Sequence, residues 1–304
     1  MDLDTLGWAG IGNMGTPMVE RLLNAGYHLA AYDPQPSAEP ASRAYGERLT
    51  MVDSLSALAG QCATVFLSLP SIEVVRDVTR ALVAMPESKV RVVVNTGTTG
   101  ASLSVELGEL LQAHGARLVD CPVSGGPEAA RAGLLSVMVS GAVDDTEALR
   151  PLLLNWGKSI TVAGTRTGAA QTLKLVNNAV IVASYVSTLE AFLFGAKAGL
   201  DPSAMLDAMN AGRLAHNGTT RVWLPEYILA DRPFGARMHL LMKDMGLAME
   251  EAARAQVPMS VCELALQVAR SACEKSLSPE ADLMDLMRAF ELECGFSLPR
   301  AEEK

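Results

Sequence analysis

The chain has 304 residues, 25 basic and 34 acidic side chains, a formal net charge of −9 and 49% hydrophobic residues. That length suits one large or two ordinary domains, and so large an apolar fraction builds a core without disulfide or metal staples, which excludes a disordered or fibrous chain. An acidic balance without a Lys/Arg run leaves no positive footprint for nucleic acid or an anionic membrane surface.

Asp2 and Asp4 precede the first hydrophobic run, so the start lacks the basic region of a signal peptide, and a cytoplasmic protein is expected. From Leu6 to about Gly164, short β-branched runs alternate with helical periodicity. Leu6 to Ala9, His28 to Tyr32, Thr64 to Leu69, Val90 to Asn95, Arg117 to Asp120, Leu135 to Ser140 and Ser159 to Ala163 read as strands. Met14 to Ala25, Ile72 to Ala84, Ser102 to His114 and Asp144 to Asn155 read as the helices between them. Such alternation predicts an α/β, doubly wound, mostly parallel sheet over residues 1–164.

Beyond Gly164 the texture changes to Ala, Leu, Met and Val without strand alternation, predicting an all-α domain over residues 165–304. One long helix is expected from Gly168 to Ala198, joining the domains, and around Leu173 to Val186 it is apolar on nearly every face. A helix of that kind must be covered, by the other domain or by a second subunit, so a homodimer or homotetramer is expected. Its longest apolar-rich stretch, Ala179 to Val186, falls short of the roughly 20 residues of a membrane span, and none is expected. Further helices are predicted at Pro202 to Ala211, Met238 to Ala255, Met259 to Lys275 and Asp282 to Leu292. Five cysteines without CxxC spacing read as reduced thiols, and four scattered histidines give no metal-site spacing.

Four places in the chain carry chemistry. Gly10-Ile11-Gly12-Asn13-Met14-Gly15 fits GxGxxG between the first strand and the first helix, where the glycines make the turn, admit a pyrophosphate and pack helix on strand. Asp33 ends the second strand, where a carboxylate accepts hydrogen bonds from an adenosine ribose and repels a 2′-phosphate. NAD is therefore expected over NADP, with Arg43 near enough in sequence to admit NADP; a plain turn residue before Pro34 is the other reading of Asp33. After the strand Arg117 to Asp120, Ser124, Gly125 and Gly126 offer a hydroxyl and two unobstructed amides to a small carboxylate, although an ordinary sharp loop would use the same residues. In the long helix, Lys174 and Asn178 are four apart and share a face. A lysine in so apolar a helix suits proton transfer, unless it snorkels to solvent.

In order and spacing these motifs, with Ala130-Arg131-Ala132-Gly133 and Lys243-Asp244, resemble the β-hydroxyacid dehydrogenase family over nearly the whole chain. The resemblance implies an oxidoreductase that interconverts a small β-hydroxy acid and its semialdehyde with NAD, or NADP. It implies that Lys174 is the general acid/base, that Asn178 orients the substrate, and that Ser124, Gly125 and Gly126 hold its carboxylate. It also implies cofactor contacts from Leu69 and Pro70, from Thr98 beside the nicotinamide, and from Lys243. Gly97 and Ala170 depart from the family's usual serine and glycine, and Arg213, His216, Asn217 and Trp223 match no one subfamily. Gln171 stands where the His-x-x-Lys motif of 6-phosphogluconate dehydrogenases has histidine. An imine reductase of the same superfamily and a catalytically silent NAD(P)-binding protein are the alternatives.

Overall fold

The computed structural model describes residues 4–35, 46–212, 214–278 and 280–300; Arg43 and Arg213 lie outside the described residues. The chain divides into two compact units, Met1–Lys174 and Leu175–Lys304, so the first turn of the long helix belongs with the sheet.

In the first unit the described residues form nine strands: β1 (Leu6–Ala9), β2 (Leu29–Tyr32), β3 (Leu49–Met51), β4 (Thr64–Leu67), β5 (Val92–Asn95), β6 (Arg117–Asp120), β7 (Val123–Ser124), β8 (Ser136–Ser140) and β9 (Ser159–Gly164). Their order is β3-β2-β1-β4-β5-β6-β8-β7, with β9 paired to β8. Pairing is parallel from β3 across to β6 and between β8 and β9, and antiparallel where β8 meets β6 and β7. The order reverses between β1 and β4, the switch point at whose carboxyl edge doubly wound sheets bind ligands.

Helices α1 (Gly15–Asn24), α5 (Gly126–Ala132) and α6 (Val143–Leu153) join one core with Trp8, Phe66, Val92 and Val94. Helices α2 (Leu55–Gln61), α3 (Ile72–Val83) and α4 (Ala101–Ala113) join the other with Val65, Leu67 and Val93. Neighbouring β5 residues thus enter opposite cores, as the two-residue period of a strand demands. Seven strands and four helices of this unit were legible as periodic runs. The additions, β3, β7, α2 and α5, are each too short to show a period.

The second unit is helical. Helix α7 (Ala169–Lys197), whose first turn lies in the first unit, is followed by α8 (Pro202–Ala211), a π-helical segment (Thr219–Ile228), α9 (Met238–Arg254), α10 (Ser260–Ser276) and α11 (Leu286–Cys294), the last entered through a 3-10 turn at Leu283–Asp285. Tyr185, Leu189, Phe192, Leu224, Met245 and Met287 centre its core. The π-helical segment escaped the periodic reading because its widened turns contain Pro225 and break the 3.6-residue repeat. Asn217 caps it, its Oδ1 accepting from the amides of Thr219 and Thr220 at 2.8 and 3.1 Å. Helix α7 has 29 residues and lies within the expected Gly168 to Ala198; against the expectation of no membrane-length apolar helix, it is by length and composition long and apolar enough to cross a bilayer, with 56% of its apolar window buried within the protein.

Candidate active site

The glycine turn leaves β1 and enters α1. Gly10 has φ +95°, and a Cβ there would lie 2.2 Å from the Ser68 carbonyl oxygen; one on Gly15 would lie 2.1 Å from that of Gly10. Both positions therefore require glycine. Gly12 differs: a Cβ there meets nothing within 4 Å, and Gly12 and Asn13 are exposed. The first turn of α1 has no side-chain cap and no acid, so nothing there offsets the positive end of the helix dipole. An anionic pyrophosphate fits this cradle. The turn is supported from below: the Trp8 indole N–H donates to the Gly10 carbonyl at 2.8 Å, and Trp8 stacks on Phe66 with ring centroids 5.3 Å apart.

Asp33 follows β2 and is half-buried. Its Oδ2 accepts from the Ile11 amide at 2.6 Å and its Oδ1 from the Gln35 amide at 2.9 Å, which fixes the carboxylate beside the glycine turn. The carboxylate keeps lone pairs for further donors. Met14 is half-buried at the start of α1, and Ile11 is buried.

At the carboxyl ends of the central strands, Asn95 pairs with Asp120 in register, and Asp120 with Ser140. Asn95 Nδ2 donates to Thr99 Oγ1 at 2.9 Å, and its Oδ1 accepts from the Gly97 amide at 3.1 Å. Thr98, at the tip of the turn so shaped, is half-buried, as is Leu69; Pro70 is exposed. Asp120 is only 1% exposed. Burial pushes its carboxyl above the ordinary range, against the opposing hydrogen bonds of Ser104, Gly168, Gln171 and Ser140. Ser124, on β7, is half-buried, and Gly125 and Gly126 follow with φ +137° and +77°. A Cβ on Gly125 would lie 2.8 Å from that of Ala129, so this turn too is restricted to glycine. Burial also pushes the neighbouring Cys121 thiol up, which keeps it unreactive.

Lys174 and Asn178 are 6% and 4% exposed and lie one turn apart on α7, the shared face expected from their spacing. Lys174 is thus buried rather than snorkelling. Asn178 Nδ2 donates to Asp244 Oδ2 at 2.8 Å, and its Oδ1 accepts from Asn177 Nδ2 at 3.3 Å. Lys243 Nζ lies 3.0 Å from Asp244 Oδ1. Asp244 adjoins Lys243 in the sequence motif; its hold on Asn178 comes from α9, far along the chain, and no local spacing signals it. Trp223 links two rings of an aromatic cluster, 4.8 Å from Tyr185 and 5.7 Å from Phe234 between centroids. His216 Nδ1 lies 2.8 Å from the Gly212 carbonyl oxygen.

The fold and the glycine cradle define a dinucleotide-binding oxidoreductase. Residues 5–164 match the NAD binding domain of 6-phosphogluconate dehydrogenase, and residues 168–290 match the NAD-binding region of NADP-dependent 3-hydroxyisobutyrate dehydrogenase. The mitochondrial 3-hydroxyisobutyrate dehydrogenase of Mus musculus is 32% identical over 285 residues, 90% of this chain and 83% of that protein. The 2-(hydroxymethyl)glutarate dehydrogenase of Eubacterium barkeri is 29% identical over 96% of this chain and 97% of its own. The solved 3-hydroxyisobutyrate dehydrogenase of Mycobacterium tuberculosis with L-serine matches with a TM-score of 0.84 at 25% identity, covering 95% of this chain and 99% of that one. The imine reductase of Myxococcus stipitatus shares the fold at a TM-score of 0.60 and 17% identity. The chain belongs to the β-hydroxyacid dehydrogenase family, and its cofactor is a nicotinamide dinucleotide.

Proposed function

We propose that the protein interconverts a small β-hydroxy acid and its semialdehyde, preferring NAD, with Lys174 as general acid/base. The observation that carries this reading is Lys174, buried on α7 one turn before an equally buried Asn178. An ammonium removed from water needs a reason to be there, and proton transfer supplies one. When bound, the nicotinamide accepts or returns the hydride. In the oxidation Lys174, as the free amine, takes the hydroxyl proton, and Asn178, its amide fixed by Asp244, holds the hydroxyl in line. In the reduction Lys174 gives the proton back to the nascent alkoxide oxygen. Ser124, Gly125 and Gly126 bind the substrate carboxylate through hydroxyl and amide donors. Gly10 to Gly15 and Asp33 bind the dinucleotide, with Leu69, Pro70, Thr98 and Lys243 completing its contacts.

Residues 1–164 serve the dinucleotide, and residues 165–304 serve the substrate and the contact between subunits, in a cytoplasmic homodimer or homotetramer. The relatives named for 3-hydroxyisobutyrate and 2-(hydroxymethyl)glutarate support a small carboxylate substrate. The test is a panel of three- to six-carbon β-hydroxy acids and their semialdehydes, assayed with both NAD and NADP. Turnover of at least one member is expected. NADH binding without turnover across the panel would replace this reading with that of a silent dinucleotide-binding protein.

A further inference from the structure

Helix α7 is entered from glycine rather than from a capping Ser, Thr, Asp or Asn, and the Ala169 amide turns back to the Arg166 carbonyl at 3.1 Å. Thr167-Gly168-Ala169-Ala170 leads into 29 helical residues whose first amides need acceptors. Those for Gly168 and Ala170 come from the sheet. The Gly168 amide donates to Asp120 Oδ2 at 2.7 Å, and the Ala170 amide to Ser140 Oγ at 3.0 Å. Ser140 Oγ in turn lies 3.5 Å from Asp120 Oδ2, and Ser104 Oγ, on α4, donates to Asp120 Oδ1 at 2.6 Å. Gln171, fully buried, accepts from the Thr99 amide at 2.9 Å through Oε1 and donates to the Gly97 carbonyl at 2.9 Å through Nε2. Gly168, with φ +86°, permits this approach, since a Cβ there would lie 3.0 Å from that of Ala101. Lys174 is the next residue on the face of Gln171, three positions on.

We propose that Asp120 is a positioning residue of the reaction: with Ser140 and Gln171 it pins the first turn of α7 to the ends of β5, β6 and β8, and so sets Lys174 and the Gly97–Thr99 turn in one register. This rests on the reading of Lys174 as the acid/base. Apolar packing would hold a helix against a sheet in several nearly equal registers. A buried, satisfied polar network selects one, because any slip leaves donors and a carboxylate without partners. Acid/base chemistry needs that selectivity, since a misplacement of about 1 Å costs about 100-fold in rate.

The test uses the full chain with 3-hydroxyisobutyrate and NAD, or the most active hydroxy acid of the panel. Asp120→Asn preserves shape and one acceptor for Gly168 but not the second acceptor. It is expected to bind NADH within about twofold of the parent and to lose about 10- to 100-fold in kcat, with a smaller change in KM. Asp120→Ala should lose more, so the amide partly rescues. The labelling rate of Lys174 by acetic anhydride, measured by mass spectrometry against exposed Lys158, reads the same displacement without any turnover and should change in Asp120→Asn. Ser140→Ala keeps the carboxylate and should show the same changes in smaller measure; it stands in should Asp120→Asn fail to fold. Variants that melt earlier yet keep parental kcat and Lys174 labelling would overturn the proposal while leaving the proposed function intact. If Lys174→Ala in the same assay kept full turnover, the acid/base reading would fall, and the positioning role with it.

Discussion

A buried lysine and a fixed carboxylate carry the most at the scale of single residues. Lys174→Ala should lower kcat by about 10²–10⁴-fold while NADH still binds, because the cradle at Gly10 to Gly15 is separate from it in sequence and chemistry. Lys174→Arg should not restore turnover, since arginine keeps the charge but releases no proton near neutral pH. Near-parental kcat in Lys174→Arg would reduce the lysine to an electrostatic anchor. Asp33 is held by the Ile11 and Gln35 amides, and in the proposed reading its charge repels a 2′-phosphate. Asp33→Ser with Pro34→Arg should shift the ratio of kcat/KM values toward NADP, and equal use of both cofactors by the parent would refute the preference. Lys174, Asn178 and Asp33 could be singled out in the sequence as candidates because each sits at a fixed spacing from a predicted element or from its neighbour. The partners of Asp244 and Asp120 could not be, because the fold sets them: Asn178 lies 66 positions from Asp244, and Gly168 lies 48 from Asp120.

Among elements, the turn between β1 and α1 separates two uses of glycine. Gly15 serves the fold, since a Cβ would strike the Gly10 carbonyl, whereas Gly12 borders open space. Gly12→Ala should therefore leave Tm within about 1 °C of the parent and raise the NADH Kd by about tenfold or more, because the methyl occupies the ligand's space rather than the protein's. A fall in Tm with Kd unchanged would reverse that assignment. Helices α3 and α4 are joined by Glu106, which accepts from Arg76 Nε at 2.9 Å and from Arg80 Nη2 at 3.1 Å. Chiefly through its hydrogen bond, Arg76 holds the Glu106 carboxyl below the usual range. Stability from a depressed acid is present above its unfolded pKa, near 4.3, and lost as pH falls through the folded one. The Tm gap between the parent and Glu106→Gln should thus be at most about 3 °C at pH 7, for a pair so exposed, and should close below about pH 4. Calorimetry at both pH values checks it, and a gap that widened in acid would contradict the sign. The long periodic elements were readable in advance; the two-residue β7, the seven-residue α2 and α5, and the π-helical segment were not, because pairing and packing rather than repetition define them.

For the whole molecule, α7 leaves Val176, Val180 and Phe194 exposed, at 56%, 65% and 76%. Apolar side chains in a row along one helix call for a cover, and a second copy of the chain would provide it. Light scattering at micromolar concentration should give at least a dimer, and a monomer would refute this. Val180→Glu with Phe194→Glu should shift the equilibrium toward monomer. The buried Trp8 beneath the glycine turn has another use. Three tryptophans occur in the chain, and two of them, Trp8 and Trp156, lie 5.7 Å apart in the first unit, with Trp8 bonded to the very carbonyl that shapes the dinucleotide cradle. The molecule therefore carries its own optical gauge of occupancy: ultraviolet emission from that indole pair should dim in proportion to bound NADH, so affinities of every variant can be read without substrate, label or turnover.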